Sequence, residues 1–198
     1  MEKLIKFFKV HHGYSRMKDL RNAGIHTRDI AKAMDMKIIE KINPGLYKLI
    51  DYSWDEYLSF LDVANAKKNA VICLISALEF HQLSTVNPPV ISIAVPHNTD
   101  KFSMKYPPVK VYYYQDTFYE LGIEEIKTKM GSFKIYNAEK TICDMFRYRN
   151  KLGEDLALEG LRNYLRRKDA NLAKLRKYAI KCQVKTVLLP YLKAMVVK

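Results

Sequence analysis

The chain has 198 residues, 48% of them hydrophobic and 12% aromatic. That is enough apolar material for packed cores and excludes a wholly disordered protein. The formal net charge of +13 suits polyanionic partners, namely nucleic acid, a phosphate-bearing ligand or an acidic protein; a Lys-rich surface that serves solubility alone is the other reading.

In chain order, "EKLIKFFKVHHGY" places Leu4, Ile5, Phe7 and Phe8 at helical spacing, with Gly13 as a stop. Ser15 is the expected N-cap of a second helix, "SRMKDLRNAG", which ends at Gly24. Thr27 is the expected N-cap of a third, with Asp29 in its first turn and Ile30, Ala33 and Met34 as its inward stripe. That stripe turns Arg28 and Lys32 outward, four residues apart. "KIIEKI" and "LYKLI" then read as two strands joined at Asn43-Pro44-Gly45: proline presets the first central turn position and glycine supplies the positive φ of a type II turn.

Three short helices followed by a hairpin have the pattern of a winged helix-turn-helix, in which the last helix enters the major groove and the hairpin is the wing. The candidate DNA contacts are Arg16, Lys18, His26, Thr27, Arg28 and Lys32, with Lys41, Asn43 and Lys48 on the hairpin. A helical cap on a larger protein, bearing ordinary surface lysines, fits the same pattern.

Residues 53–66 read as a linking helix, with Ser53 as cap, Asp55 and Glu56 in the first turn, and Trp54, Tyr57, Leu58 and Leu61 as its apolar face. "NAVICLISALEFHQL" reads as a buried helix from near Asn69. "VISIAVP" and "VKVYYY" read as strands, and "IEEIKT" with "FKIYN" as a hairpin pair. From Ala138 the pattern is helical. The expected fold class is therefore α+β. Residues 1–52 form the winged helix-turn-helix. Residues 53–198 form a second domain, with the linking helix, a mixed α/β part over 67–137 and a helical basic tail over 138–198.

Charge follows this division. Residues 1–52 carry 11 Lys and Arg against 6 Asp and Glu, residues 53–108 carry 4 against 5, and residues 109–198 carry 19 against 10. In the tail, Arg147, Arg149, Arg162, Arg166 and Arg167 are the candidate charged surface, Arg162 and Arg166 sharing a helix face. A merely solvated helix face accounts for the same residues.

Catalytic signatures are missing. There is no P-loop, dinucleotide fingerprint or nucleophile elbow, and the five histidines make no metal-binding pair. His81 reads as a satisfied polar residue, and Cys143 as a buried structural thiol. Lys140 with Asp144 reads as an ordinary i, i+4 surface pair. Cys73, Cys143 and Cys182 have neither disulfide nor zinc spacing. The apolar run at 70–80 is too short to span a bilayer and the N-terminus has no leader-like apolar region. A soluble cytoplasmic protein without enzymatic activity, cofactor or membrane partner is expected.

Three stretches resemble the AbiEi-like antitoxins of type IV toxin–antitoxin systems: "GYSRMKDLRNAGIHTRDIAKAMDMKIIEKINPGLYKLI", "AVICLISALEFHQLSTVNPPVISIAVP" and "ELGIEEIKTKMGSFKIYNAEKTICDMFRYRNKLGEDLALEGLRNYLRRKDANLAKL". They cover most of residues 13–176, and the block Tyr136 to Arg167 is the most distinctive. Residues 98–118 match least. The resemblance implies an N-terminal winged helix that represses its own operon by binding inverted repeats in promoter DNA. It also implies a C-terminal domain that counters a nucleotidyltransferase-like toxin, with or without direct contact. It makes "HTRDIAKAM" the recognition helix, with Arg28 and Lys32 leading, and "KINPGLYK" the wing. It assigns Lys140, with Arg147, Arg149, Arg162, Arg166 and Arg167, to the antitoxin domain's charged surface, and it supplies no catalytic residue.

Overall fold

A computed structural model describes residues 1–51 and 56–196; the expected roles of Ser53, Trp54 and Asp55 lie outside them. The chain is mixed α+β and divides into two compact units. The first comprises residues 1–69, 102–108 and 126–133; the second comprises 70–101, 109–125 and 134–198.

The first unit runs α1 (Glu2–Val10), β1 (Tyr14–Arg16), α2 (Met17–Asn22), α3 (Thr27–Asp35), β2 (Ile39–Asn43), β3 (Leu46–Leu49) and α4 (Leu58–Ala66). The three strands form an antiparallel sheet in the order β1-β3-β2. Tyr14 lies opposite Lys48, and Ile39 opposite Leu49. Leu4, Phe8, Leu20, Ile25, Ile30, Ala33, Ile39, Tyr47 and Leu49 form one core, so α1, α2 and α3 contribute their apolar stripes and the sheet one face. Gly24 ends the α2 turn at φ +72° and Gly45 completes the hairpin turn at φ +71°, a region open to glycine at no steric penalty.

Two local expectations are corrected. Ser15 is not a helix cap. It sits in β1, opposite Tyr47, because this segment's backbone groups pair with β3, and α2 starts after Arg16 with no side-chain cap. Thr27 is the first helical residue of α3, and His26 occupies the extended N-cap position.

The second unit runs β4 (Val71–Ile72), α5 (Leu74–Phe80), β5 (Ile91–Pro96), β6 (Val109–Tyr114), α6 (Asp116–Tyr119), β7 (Ile123–Thr128), β8 (Gly131–Tyr136), α7 (Ala138–Arg147), α8 (Arg149–Leu152), α9 (Glu154–Leu165), α10 (Leu172–Lys181) and α11 (Lys185–Val196). The tip of the β7–β8 hairpin is counted with the first unit. The sheet order is β6-β5-β4-β8-β7. β4 pairs antiparallel with β5 and parallel with β8, and β5 pairs parallel with β6.

The helix expected from near Asn69 starts later, at Leu74. Val71 and Ile72 are a strand, inserted between Ile93–Ala94 and Lys134–Ile135. A short apolar run has no periodicity that separates a buried strand from a buried helix. Helix α7 is central to this unit. It packs against α5, α9 and α10, and every residue from Glu139 to Phe146 is buried. Among the described residues no helix is long and apolar enough to cross a membrane.

Candidate nucleic-acid interface

The core stripe of α3 decides what the helix offers. With Ile30 and Ala33 buried and Met34 half-buried, His26, Thr27, Arg28 and Lys32 are exposed. Arg16, Lys18 and Lys41 are exposed as well, and Asn43 is half-buried. Arg16 is partly committed, since its Nη2 donates to the Asn65 carbonyl at 3.0 Å. Among the described residues no carboxylate pairs with Lys18, Arg28, Lys32 or Lys41.

An open cleft in the same unit is lined by Arg16, Met17, Lys18, Arg21, Asn22, Pro44 and Gly45. It joins the start of α2 to the hairpin turn, bridged by the Met17 amide donating to the Gly45 carbonyl at 2.8 Å. Arg21 and Asn22 are the residues that sequence reasoning missed. Their signal was present: both are polar positions on α2, Asn22 opposite Met17 and Leu20 and Arg21 at the edge of that apolar face. Three cations with no carboxylate in one cleft can hold the phosphates of a polyanion.

Lys48 is not part of that surface. Only 6% of it is exposed, and its ammonium lies 3.1 Å from Asp62 Oδ2. The hairpin was expected as a two-stranded ribbon. Instead β1 joins it, β3 becomes the central strand with all four of its residues buried, and the Lys48 side chain turns towards α4.

Of the expected cationic surface of the second unit, Lys140 is withdrawn into the core, Arg149 and Arg167 are half-buried, and Arg147 is exposed but engaged. Lys140 is fully buried. Its ammonium donates to both Asp144 oxygens, at 2.6 and 2.5 Å, and lies 4.3 Å from the Tyr136 ring centre and 4.9 Å from that of Tyr114. The Tyr114 hydroxyl donates to Asp144 at 3.2 Å. Burial raises the Asp144 carboxyl above its ordinary value, while the Lys140 ammonium and the Tyr114 hydroxyl oppose that rise. The i, i+4 spacing held, but the pair is internal because α7 is covered on all sides.

Arg147 lays its guanidinium 3.8 Å from the Phe118 ring centre and donates to the Cys182 carbonyl at 3.2 Å, which satisfies the end of α10. Arg149 donates to the Phe146 carbonyl at 2.9 Å. Arg167 grips Asp169 through two nitrogens, at 2.9 and 2.7 Å, and donates to the His81 carbonyl. Arg162 and Arg166 are exposed, with no acidic partner among the described residues.

His81 accounts for its own polarity through a 2.7 Å bond between Nε2 and the Tyr136 carbonyl. Burial lowers its pKa. The three cysteines are free thiols and buried. Among the described residues no group of three or more His, Cys, Asp or Glu side chains is placed to hold a metal ion. No protein-family model matches the chain, and no curated protein sequence does.

Proposed function

We propose that the first unit is a winged helix-turn-helix that binds inverted repeats in duplex DNA. On this reading the chain is an autoregulatory antitoxin whose second unit counters a nucleotidyltransferase-like toxin. The antitoxin half of the proposal rests on the resemblance of the three sequence stretches quoted above. The observation that carries the DNA half is the helix-strand-helix-helix-strand-strand order of the first unit, whose third helix exposes His26, Thr27, Arg28 and Lys32. In this arrangement α3 is the recognition helix. Arg28 and Lys32 face base edges and phosphates, and the Asn43-Pro44-Gly45 turn with Lys41 lies along the backbone as the wing. The cleft of Arg16, Lys18 and Arg21 holds a phosphate run.

The test is binding of the purified chain to duplex DNA from upstream of its own gene, followed by fluorescence anisotropy over a salt series. Salt-sensitive binding to an inverted repeat, abolished by Arg28→Glu with Lys32→Glu, is expected. The same double variant is expected to rescue cells from the toxin undiminished. Equal affinity for scrambled duplex, or loss of rescue by a folded variant, overturns the reading.

A further inference from the structure

Residues 170–198 contain no Asp or Glu. Within this stretch lie α10 (Leu172–Lys181) and α11 (Lys185–Val196), joined by the short connection Cys182–Val184. Within these two helices the ion pair of Lys174 with Glu139, at 3.0 Å, is the one found among the described residues. The remaining cations face solvent uncompensated.

Between the helices lies a groove lined by Arg176, Ile180, Lys185, Leu189, Leu192 and Lys193. The sequence sets this up by spacing. Arg176 and Ile180 are i and i+4 on α10; Lys185, Leu189 and Lys193 are i, i+4 and i+8 on α11, with Leu192 beside them. Each helix thus alternates cation and aliphatic along one stripe. Leu192 is 1% exposed and forms the floor, whereas Ile180 is 58% exposed, a large aliphatic left in water. Arg176, Lys185 and Lys193 are exposed around it.

We infer that this groove docks an acidic amphipathic segment of a partner protein, seating an aliphatic side chain against Ile180, Leu189 and Leu192 and its carboxylates against Arg176, Lys185 and Lys193. Charge complementarity selects this occupant. A helical hairpin with no acidic residue of its own attracts carboxylates, and its apolar floor rewards a side chain that a nucleic-acid backbone does not carry. A membrane surface fits less well, since the exposed apolar strip holds no aromatic anchor and is narrow. The inference stands apart from DNA binding, which involves the other unit, and it holds whether or not the first unit recognises an operator.

The test uses the full chain and a synthetic helical peptide with Glu on one face and Leu on the other, titrated by fluorescence anisotropy. A poly-glutamate of the same length, a random DNA duplex and phosphatidylserine vesicles serve as comparators. The peptide is expected to bind, and Ile180→Ser and the pair Lys185→Glu with Lys193→Glu are each expected to weaken it by about tenfold or more. Both variants alter exposed side chains, and unchanged thermal unfolding verifies that they fold. Failure of the peptide to bind overturns the inference, as does indifference of binding to Ile180→Ser. Equal or tighter binding of poly-glutamate, DNA or vesicles reassigns the patch to plain electrostatics, nucleic acid or membrane, and likewise overturns it. So does a self-associated dimer that Ile180→Ser dissolves.

Discussion

The Lys48 ammonium sits 3.1 Å from Asp62 Oδ2, and the other oxygen of the same carboxylate accepts the Tyr14 hydroxyl at 2.6 Å. One buried carboxylate of α4 therefore ties together β1 and β3, adjacent strands that pair Tyr14 with Lys48. The charge is withdrawn from the proposed DNA-facing set and used to hold the sheet on α4.

Replacing Asp62 with Asn takes away the buried counter-charge of the Lys48 ammonium and leaves it only the exposed Glu40 carboxylate at 3.8 Å. A loss of about 3–5 kcal/mol in stability is expected, read from urea unfolding. Lys48→Met removes a cation but no phosphate contact, so the folded fraction of that variant keeps the wild-type salt slope for DNA. A slope reduced as much as by Lys18→Ala contradicts the burial assignment.

Within the proposed interface, phosphate contacts and base contacts separate by measurement. Lys18→Ala and Arg21→Ala are each expected to make the log–log salt slope less negative by about 0.9, with all sequences weakened alike. Arg28→Ala is expected to cost about 1–3 kcal/mol on the cognate repeat and to relax sequence preference. Parallel losses on cognate and random duplex for all three would remove α3 from the base-reading role.

The Lys140–Asp144 pair gives a pH-dependent prediction. Lys140→Met leaves Asp144 buried beside Tyr114 and costs about 3–5 kcal/mol near neutral pH. Burial already raises this carboxyl in the native chain, and loss of the ammonium raises it further. The folded variant then holds a proton that the unfolded chain has released, so its stability falls as pH rises above the ordinary carboxyl value. The deficit of Lys140→Met is expected to be smaller at pH 5 than at pH 8, and the double change Lys140→Met with Asp144→Leu to cost less than the single. Urea midpoints at the two pH values decide it; a deficit that does not vary with pH contradicts a buried carboxylate.

His81 supplies the opposite sign. Burial depresses its pKa below the ordinary value of 6.5, so below that pH the unfolded chain takes up a proton that the folded chain refuses. Stability from this group is complete above pH 6.5 and declines as pH falls through the window below it. Thermal unfolding of His81→Gln, which keeps a donor for the Tyr136 carbonyl, is expected to show a flatter pH profile between about 5 and 7. A profile as steep as that of the wild type assigns the dependence elsewhere.

Much of the first unit was legible in sequence because its signals are local. The Ile30–Ala33–Met34 stripe specified which side of α3 faces the core, and with it the exposure of Arg28 and Lys32. Asn43-Pro44-Gly45 specified the turn through two backbone constraints. The strands at 91–96 and 109–114 and the helical run after Ala138 followed from β-branched content and period.

Tertiary structure alone decided the rest. Whether a cation is surface or core depends on what covers its element, and that information is non-local. Lys48 went inward because β1, thirty-odd residues earlier, pairs with β3, and Lys140 because α5, α9 and α10 enclose α7. Arg147 found an aromatic ring and a helix-end carbonyl that no spacing rule announces. Val71 and Ile72 became a strand because two distant strands flank them. Periodicity reports which side of an element is apolar; only the packed chain determines whether its polar side meets water or another carboxylate.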